Sequence, residues 1–543
     1  MPLTTLEELE HAFDPEAGLV RHDAERYILR ESLMYACRLL RRNGEDDQAR
    51  AAQILEAVWA TQFTSPSWDQ GRLSLRHPEG WRELNGTLFA MPYLAEVLRE
   101  HAAKLPPPLL DRHREGTRQA VGALERRWAD EDFDLHRDFK AYSNIFALYI
   151  QGLLLAGETF DDDRLRRDAA SQWRRWFSHI GYFGIDEFVS PTYNGVVYEA
   201  VLDIAKRAPE EPVRHEARLV LDHLVTLQCA LSHPKLGLPV SGASRHYRRF
   251  VTPGNGAFAY LNGDGQSAHV SPAAVRREFE QRTYPHRAEG RASLVPFRFK
   301  TWQLADAALG TMSGGYYFPQ QLHALAAVGH SATQRACAFI NADVRNRING
   351  YVHQRDGAAL CVFARTVTSF HRTQHLMPDA RLPAEDSLPM SIGSTGDWQM
   401  PVNEPGRLIL AAYGYTLHVH LFTIEEQQCH PVQLCEQRVE LGPEGEITVY
   451  RVPGEPVWMG CVLQLLPADQ HAAEPTVQCT SAGRETSVSE SLLDLSLRWF
   501  HQPSGELTQL HEKDWRTMPL LACPTQTLWP GELCAQAANA RHY

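Results

Sequence analysis

Residues 186–197, with the sequence DEFVSPTYNGVV, end one helical pattern and begin another. Pro191 fixes its own φ and restricts Ser190 to an extended backbone, so a helix cannot run through this point. Ser190 or Thr192 can then accept a backbone N–H as the cap of the helix that follows. The stretch therefore predicts two apolar helices joined by a polar connector.

The connector carries three polar side chains, Glu187, Tyr193 and Asn194, next to a predicted helix N-terminus. This density of polar groups is unusual between two apolar helices and indicates a functional loop. The alternative is a purely structural one, a capped helix whose tyrosine hydroxyl is satisfied locally.

Outward from this stretch, apolar residues recur at steps of three and four, as on one face of a helix. The predicted helices cover residues 24–41, 47–63, 82–103, 109–129, 140–157, 162–180, 194–207 and 213–232, with two more at 301–310 and 318–328. Short connections make these helices antiparallel hairpins that must bury their apolar faces against each other. No tetratricopeptide or ankyrin consensus recurs, which favours a closed α/α toroid over an open solenoid.

Residues 233–300 interrupt the helical rhythm with glycines, prolines and a mixture of aromatic and basic residues. We expect a loop-rich insertion of this length to be functional. After about residue 335 the apolar period changes to two, with strands predicted at 351–367, 408–422, 447–452, 457–466 and 492–499. The fold class is therefore a multidomain α+β protein: a toroid of five or six hairpins over 1–332 and an antiparallel β-sandwich over 333–543.

The net charge, hydropathy and cysteine spacing of the chain argue against several classes of protein. The chain has 543 residues and a formal net charge of −12, which argues against general nucleic-acid binding. No run of about 18 apolar residues predicts a membrane span, and the N-terminus lacks the pattern of a secretory signal, so we expect a cytoplasmic protein. The ten cysteines show no zinc-ribbon spacing, and no nucleotide-binding loop or hydrolase nucleophile elbow occurs.

Three asparagines, Asn85, Asn144 and Asn194, each lie within a turn of a predicted helix start. In a toroid of hairpins, alternate helix starts face the same end, so these side chains could line one cavity together with Tyr142 and Tyr193. Each asparagine taken alone is more often only a helix cap.

Several arginines of the insertion suggest a pocket for an anionic group, because guanidinium groups bind carboxylates bidentately. Arg245, His246 and Tyr247 form one cluster there, and Tyr284 and His286 belong to a second. Tyr316 precedes the last predicted helix. The alternative is that the arginines form structural ion pairs with neighbouring acids, which are Glu278, Glu280 and Glu289.

His418 and His420 lie two apart on a predicted strand and therefore point to the same face. With His430 nearby they could hold a structural divalent metal. A sheet face with surface histidines is the alternative, since no Cys or Asp at fixed spacing completes a ligand set.

The local sequences YSNI at 142–145, EFVSPTYNGV at 187–196, SRHY at 244–247 and YYFP at 316–319 resemble those of α/α-toroid plus β-sandwich proteins. This group includes polysaccharide lyases of the heparinase II/III and alginate lyase kind. The resemblance spans both predicted domains in order, and it implies a lyase that cleaves an anionic, uronate-containing oligo- or polysaccharide by β-elimination.

By this resemblance, Asn144, Asn194 and Arg245 would hold the uronate carboxylate. Tyr193, Tyr247 or His246 would act as base and acid, and the resemblance requires no cofactor. A glycoside hydrolase on the same scaffold would instead pair Glu187 with a second acid such as Glu83, Asp138 or Asp186. A carbohydrate-binding protein without catalysis is the third alternative.

Overall fold

The computed structural model describes the chain in segments. They are residues 5–67, 69–79, 84–129, 143–185, 190, 193–243, 273–292, 297–314, 321–342, 348–365, 390–432, 434–440, 446–451, 458–482, 485–501, 507–510 and 518–540. The chain divides into two compact units. The helical unit comprises Met1–Phe177 and Glu199–Arg218, and the sheet unit comprises Ser178–Tyr198 and Leu219–Tyr543.

All eight helices predicted up to residue 232 are confirmed, with ends displaced by a few residues. The described α-helices are α1 Leu6–Ala12, α2 Leu29–Arg42, α3 Glu45–Ala60, α4 Gly86–Glu100, α5 Pro107–Ala129, α6 Ser143–Phe160, α7 Asp163–Phe183, α8 Tyr193–Arg207, α9 Glu211–Leu231, α10 Ala273–Glu280 and α11 Glu532–Ala540.

Alternate helices of the helical unit lie side by side and run in the same direction. Cys37 Sγ on α2 lies 3.6 Å from the Tyr93 carbonyl oxygen on α4, and Arg41 Nη2 lies 2.6 Å from Glu96 Oε2. The second residue follows the first by 56 and 55 positions in these two contacts. A constant offset along both helices means that α2 and α4 are parallel.

The same relation holds between α4 and α6. Arg99 Nη1 lies 3.0 Å from Glu158 Oε2, and a Cβ at Gly152 would lie 3.5 Å from Met91 Cγ. These offsets are 59 and 61 positions. Helix α4 therefore has a parallel neighbour on each side.

Helices α3 and α5 form a second parallel pair in the helical unit. Arg112 Nη1 lies 2.5 Å from Glu56 Oε2, and Trp59 Nε1 donates to His113 Nδ1 at 3.0 Å. His113 Nε2 in turn donates to the Leu94 carbonyl oxygen of α4 at 3.1 Å. Burial lowers the pKa of His113 to about 4, so this imidazole is neutral and joins the two rows of helices.

The β-strands of the chain lie mostly in the sheet unit. They are β1 Phe13–Asp14, β2 Leu19–Val20, β3 Tyr27–Ile28, β4 Arg76–His77, β5 Ser232–His233, β6 Leu238–Pro239, β7 His286–Ala292, β8 Phe297–Gln303, β9 Ala307–Gly314, β10 Gln321–Gly329, β11 Arg335–Ala342, β12 Ile348–Arg355, β13 Ala358–Arg365, β14 Met390–Thr395, β15 Gln399–Glu404, β16 Arg407–Ala412, β17 Tyr415–Glu425, β18 Gln428–Pro431, β19 Cys435–Glu440, β20 Glu446–Arg451, β21 Trp458–Pro467, β22 Val477–Ala482, β23 Glu485–Glu490, β24 Leu495–His501, β25 Leu507–Leu510, β26 Leu521–Cys523 and β27 Gln526–Leu528.

Three antiparallel sheets organise the described part of the sheet unit. The ten-stranded sheet has the order β19-β20-β14-β11-β10-β9-β8-β7-β26-β27, and the seven-stranded sheet has the order β12-β13-β21-β17-β16-β15 with β18 paired to β17. The third sheet has the order β22-β23-β24-β25. The strands predicted after residue 335 are confirmed, although residues 351–367 and 408–422 each form a hairpin rather than one strand.

The sheets share their apolar cores. Leu309 and Ala326 of the ten-stranded sheet belong to the same buried cluster as Leu417 and Cys461 of the seven-stranded sheet. The opposite face of the seven-stranded sheet packs against the four-stranded sheet around Trp499. The protein is therefore an α+β protein with helices preceding antiparallel strands.

The helices predicted at 301–310 and 318–328 are wrong, because the described residues of these segments form the end of β8, the first half of β9 and most of β10. Seven of the eight residues of β9 are buried, so no alternation marks it as a strand. A Cβ at Gly310 would collide with the backbone at Val240. Close packing thus requires Ala and Gly here, and tertiary packing overrides their propensities.

The predicted insertion at 233–300 also contains more regular structure than expected. Its described residues include the β5–β6 pair, α10, β7 and the beginning of β8. Residues 244–272 lie outside the described part of the chain. Among the described helices, none has both the length and the apolar composition required to cross a bilayer.

The position of α4 depends on Gly86, its first residue, because a Cβ there would collide with the backbone of Leu73 and Ser74. We expect Gly86→Ala to destabilise the protein by about 1–3 kcal/mol. Gly152→Ala is the matched control, since its Cβ would meet side chains at ordinary distances of 3.5 Å or more. This variant should be neutral or stabilised by up to about 1 kcal/mol. Urea unfolding followed by circular dichroism measures both, and equal effects would contradict the close approach.

Candidate functional site

Asn85 and Asn144 lie at the same level of two adjacent parallel helices. Asn85 is the N-cap residue of α4, and Asn144 is the second residue of α6. Asn144 follows Asn85 by 59 positions, which equals the offset of the Arg99–Glu158 contact between these helices. Since neighbouring helix axes are about 8–10 Å apart, the two residues lie side by side at the start of the row.

Helix capping does not account for these two asparagines. The Asn85 side chain makes no capping hydrogen bond. Its Oδ1 instead accepts a hydrogen bond from Arg127 Nη2 at 2.8 Å, and Arg127 also donates to the Leu84 carbonyl. Asn144 lies inside the first turn of α6 and is only 1% exposed. The prediction that asparagines mark helix starts is confirmed at both positions.

Residues 73–75 enclose the start of α4. The Thr87 hydroxyl accepts a hydrogen bond from the Leu73 amide at 2.8 Å, and the Leu29 amide donates to the Leu75 carbonyl at 3.1 Å. Leu29 is the first residue of α2, so one segment holds the beginnings of two parallel helices. The first turns of α2 and α4 are therefore fixed relative to each other.

Glu31 is the residue of this region that sequence reasoning missed. It lies in the first turn of α2, is 1% exposed, and pairs through Oε1 with Arg30. Its Oε2 is buried without a hydrogen-bond partner among the described residues. The sequence gives little signal for Glu31, since an Arg-Glu pair in a helix usually lies on its solvent-exposed face. A buried carboxylate oxygen without a partner can accept a hydrogen bond from a hydroxyl group.

Tyr193 and Asn194 are the first two residues of α8, as the connector predicts. The Ser190 hydroxyl accepts a hydrogen bond from the Tyr193 amide at 3.2 Å, and the Ser190 carbonyl accepts one from the Asn194 amide at 3.0 Å. Ser190 is therefore the cap, whereas Thr192 lies outside the described residues. Asn194 is buried, and Tyr193 is partly exposed.

The other candidate residues of the predicted lyase site lie outside the described part of the chain. They are Tyr142, Glu187, Arg245, His246, Tyr247 and Tyr316, and the same holds for the alternative acids Glu83, Asp138 and Asp186. Their placement stays a prediction.

Tyr284 and His286 belong to a cluster of the sheet unit that closes the C-terminal end of α9. His286 is 1% exposed and its Nε2 donates to the Ala230 carbonyl at 2.8 Å. The ring of Tyr284 stacks on that of His233 with centroids 5.7 Å apart. The helix end leaves carbonyl groups without partners inside the helix, and the cluster satisfies them.

Arg282 completes this helix end. Its guanidinium donates to the Cys229 carbonyl at 2.7 Å, to the Ser232 carbonyl, and to Gln303 Oε1 at 2.9 Å. It also forms two hydrogen bonds of 3.0 Å with the Glu278 carboxylate. The structural ion pair that the sequence left open is thus present, and a positive charge lies where the helix dipole favours it.

His418 and His420 lie on one face of β17, as their spacing predicts, and both line a cavity of the sheet unit. They do not belong to a group of three potential metal ligands among the described residues. The group with such spacing is Glu96, Glu100 and His101 in the helical unit. Glu96 there already pairs with Arg41, which reduces the attraction for a cation.

A family model described as a domain of unknown function (DUF8769) matches residues 2–71. The matched part extends from α1 to the segment after α3 and includes Glu31. No curated protein matches the chain. The matched family therefore supplies no activity, and the chemistry must be argued from the residues.

Glu278 makes stability depend on pH at the end of α9. Burial acts to raise the pKa of Glu278, but hydrogen bonds from His286 and Arg282 outweigh burial and lower it from 4.5 to about 2. The carboxylate is thus favoured by folding, and its contribution is present above pH 4.5 and lost as the pH falls toward about 2.

We expect Glu278→Gln to lower the urea midpoint at neutral pH, because Arg282 and His286 would lose a buried charged partner. The difference from the wild type should shrink as the pH falls from 4.5 to about 2. Exposed Glu280 of the same helix provides the control Glu280→Gln. If the two variants lose stability with the same pH dependence, Glu278 has no special role.

Proposed function

We propose that the protein is a carbohydrate-active enzyme that cleaves a uronate-containing oligo- or polysaccharide by β-elimination. The observation that carries this proposal is the pair of asparagines at one level of α4 and α6. Amide groups at helix starts can donate to a carboxylate, and the helix dipole favours a negative charge at that end. A neutralised uronate carboxylate makes the adjacent proton easier to remove.

The arrangement of helices supports the α/α toroid that the sequence predicts. Gln151 Nε2 on α6 lies 2.6 Å from Asp203 Oδ2 on α8, and Arg207 Nη1 lies 3.2 Å from Glu158 Oε2. These offsets of 52 and 49 positions extend the parallel row of α2, α4 and α6 to the residues 199–207 of α8. An inner row of parallel helices with a second row outside is the pattern of a toroid. We also assign the core shared by the ten- and seven-stranded sheets to a β-sandwich.

The proposal assigns chemical roles residue by residue. Asn144, Asn194 and Arg245 hold the uronate carboxylate. Tyr193, Tyr247 or His246 removes the proton beside the carboxylate, and the electron pair forms the new double bond. The bond to the leaving oxygen breaks, and the acid of the pair protonates that oxygen. Acid and base catalysis of this kind contributes on the order of 10²–10⁴-fold.

Glu31 supports glycoside hydrolysis as a second candidate. A hydrolase needs two carboxyl groups on either side of the scissile bond. Glu31 is a buried acid with one oxygen unpaired among the described residues, and it lies in the first turn of α2, next to α4 in the row. Elimination does not require this carboxyl group, whereas hydrolysis through Glu31 does.

Product chemistry separates elimination from hydrolysis. Purified protein is incubated with a panel of uronate-containing oligosaccharides, and ultraviolet absorbance of the conjugated double bond is followed beside a reducing-end assay. We expect both signals to rise together. New reducing ends without the absorbance, lost in Glu31→Gln, would establish hydrolysis. Binding without either product would leave a carbohydrate-binding protein.

Asn144→Asp tests the carboxylate clamp without removing a favourable helix start. Aspartate has nearly the shape of asparagine, and a negative charge in the first turn suits the helix dipole. It would repel the substrate carboxylate, so we expect elimination per folded molecule to fall by about 10²–10³-fold. The unfolding midpoint measures the separate cost of burying the new carboxylate. Gln119→Ala, at an exposed amide of α5, is the control that should keep full activity. An unchanged rate of elimination in Asn144→Asp would show that Asn144 does not bind the substrate carboxylate.

A further inference from the structure

The sheet unit contains a cavity of about 350 Å³ that the proposed reaction does not use. Its floor is one face of β16 and β17, where Ile409 pairs with His418 and Arg407 pairs with His420. The volume lies in the range of small-molecule pockets.

The wall opposite this floor is held in place by specific hydrogen bonds. Residues 468 and 470–474, between β21 and β22, form this wall. The Gln464 amide makes two hydrogen bonds to the backbone of Ala473, at 2.8 and 2.9 Å. Gln464 is the strand partner of His418 and is buried, so the wall is attached directly to the sheet that forms the floor. The cavity is thus a built feature rather than a gap under a loose loop.

The floor departs from the apolar character of the rest of this face. Further along β17, Phe422 and Ile424 of the same face pack under the four-stranded sheet. At the cavity, the face instead presents Arg407, His418 and His420. A ring or guanidinium nitrogen of each of these three side chains is buried without a hydrogen-bond partner among the described residues. Buried polar atoms left unsatisfied are rare in native proteins and call for an explanation.

Arg407 and the two histidines of the floor favour an anion over a metal ion, against the opposing charge of Glu474, which lines the same cavity, and of Glu404, whose Oε1 lies 3.6 Å from Arg407 Nη1. His418 is 9% exposed, and its pKa is lowered by burial and by the positive charge of Arg407. The pKa of His420 is lowered for the same two reasons. Neutral imidazoles can donate N–H groups beside a guanidinium, whereas the guanidinium repels a divalent cation.

We propose that this cavity binds a small oxoanion, with Arg407 as its charged contact and His418 and His420 as N–H donors. The anionic group can be an inorganic oxoanion or a carboxylate or sulfate carried by a larger molecule, since the recognising chemistry is the same. Thr416 Oγ1 lies 3.1 Å from His418 Nε2 and orients this ring. The lining of the cavity includes none of the residues proposed for elimination, so either proposal can fail without the other.

Isothermal titration of the full chain with inorganic sulfate, phosphate and glucuronate tests the site, with glucose as the neutral counterpart of glucuronate. We expect at least one anion to bind with a 1:1 stoichiometry and glucose not to bind. Arg407→Gln should weaken that binding by at least about tenfold. Arg355→Gln, at an exposed side chain of β12 in the same sheet, should leave it unchanged. Tighter binding of glucuronate than of sulfate and phosphate would show that the site prefers a carboxylate that belongs to a larger molecule.

Two further measurements distinguish loss of the Arg407 contact from misfolding of the Arg407→Gln variant. Arg407→Lys keeps the positive charge and should retain part of the affinity. Binding of sulfate, whose charge is constant, should also strengthen as the pH falls below about 6.5, because protonation of His420 adds a positive charge beside the anion. Glu474 and Glu490, the acids near His420, act in the same direction as the ligand.

Four outcomes would overturn the proposal. If Arg407→Gln and Arg355→Gln bind the anion with the same affinity, Arg407 is not its charged contact. If glucose binds as tightly as glucuronate, the cavity does not select an anion. Stoichiometric binding of Zn²⁺ that His418→Gln abolishes, with no bound anion, would assign the cavity to a metal. Absence of binding by every anion at millimolar concentration in a protein that unfolds cooperatively would also reject it.

Discussion

The parallel register of alternate helices is the constraint on which the helical unit depends. Close packing opposes sliding of neighbouring helices, as where Gly152 of α6 lies against Met91 of α4. The partly buried pair of Arg99 with Glu158 and the more exposed pair of Arg41 with Glu96 add smaller contributions to the same register. Register set at one end of the row is carried by rigid helices to the other. The first turns of α2, α4 and α6 are therefore held at fixed levels.

This constraint also underlies the proposed binding of an acidic substrate at the helix starts. Each first turn exposes backbone N–H groups and the positive end of a helix dipole, and parallel neighbours bring these ends together. Asn85 and Asn144 add neutral donors, whereas Glu31 adds one buried negative charge that Arg30 balances. Donors for a carboxylate and a separate acid are thus available within one row, and lyase and hydrolase chemistry differ in which of them is used.

Most of the helical unit could be predicted from sequence, because its long amphipathic helices show their period over many residues. Glu31 could not be predicted, since its burial results from the segment around Leu75 that covers the start of α2. The sequence also could not predict that Asn85 and Asn144 lie at the same level of their helices, because that depends on contacts between the helices such as Gly152 with Met91. Strand β9 was misread because a strand buried on both faces has no alternation to detect.

The described part of the sheet unit contains two clusters of arginine and histidine. One stabilises the fold, and the other is proposed to bind a ligand. At the end of α9, Arg282 donates to the Cys229 carbonyl and to Glu278. His286 Nε2 donates to the Ala230 carbonyl, and its Nδ1 lies 3.3 Å from Glu278 Oε1, so polar groups of the fold lie beside both side chains. In the cavity on β16 and β17, the fold leaves part of the hydrogen-bonding capacity of such side chains unused and keeps space beside them. Sequence density of basic residues is the same signal in both cases. The remaining hydrogen-bonding capacity separates a structural cluster from a binding site, and it becomes visible only when every partner is assigned.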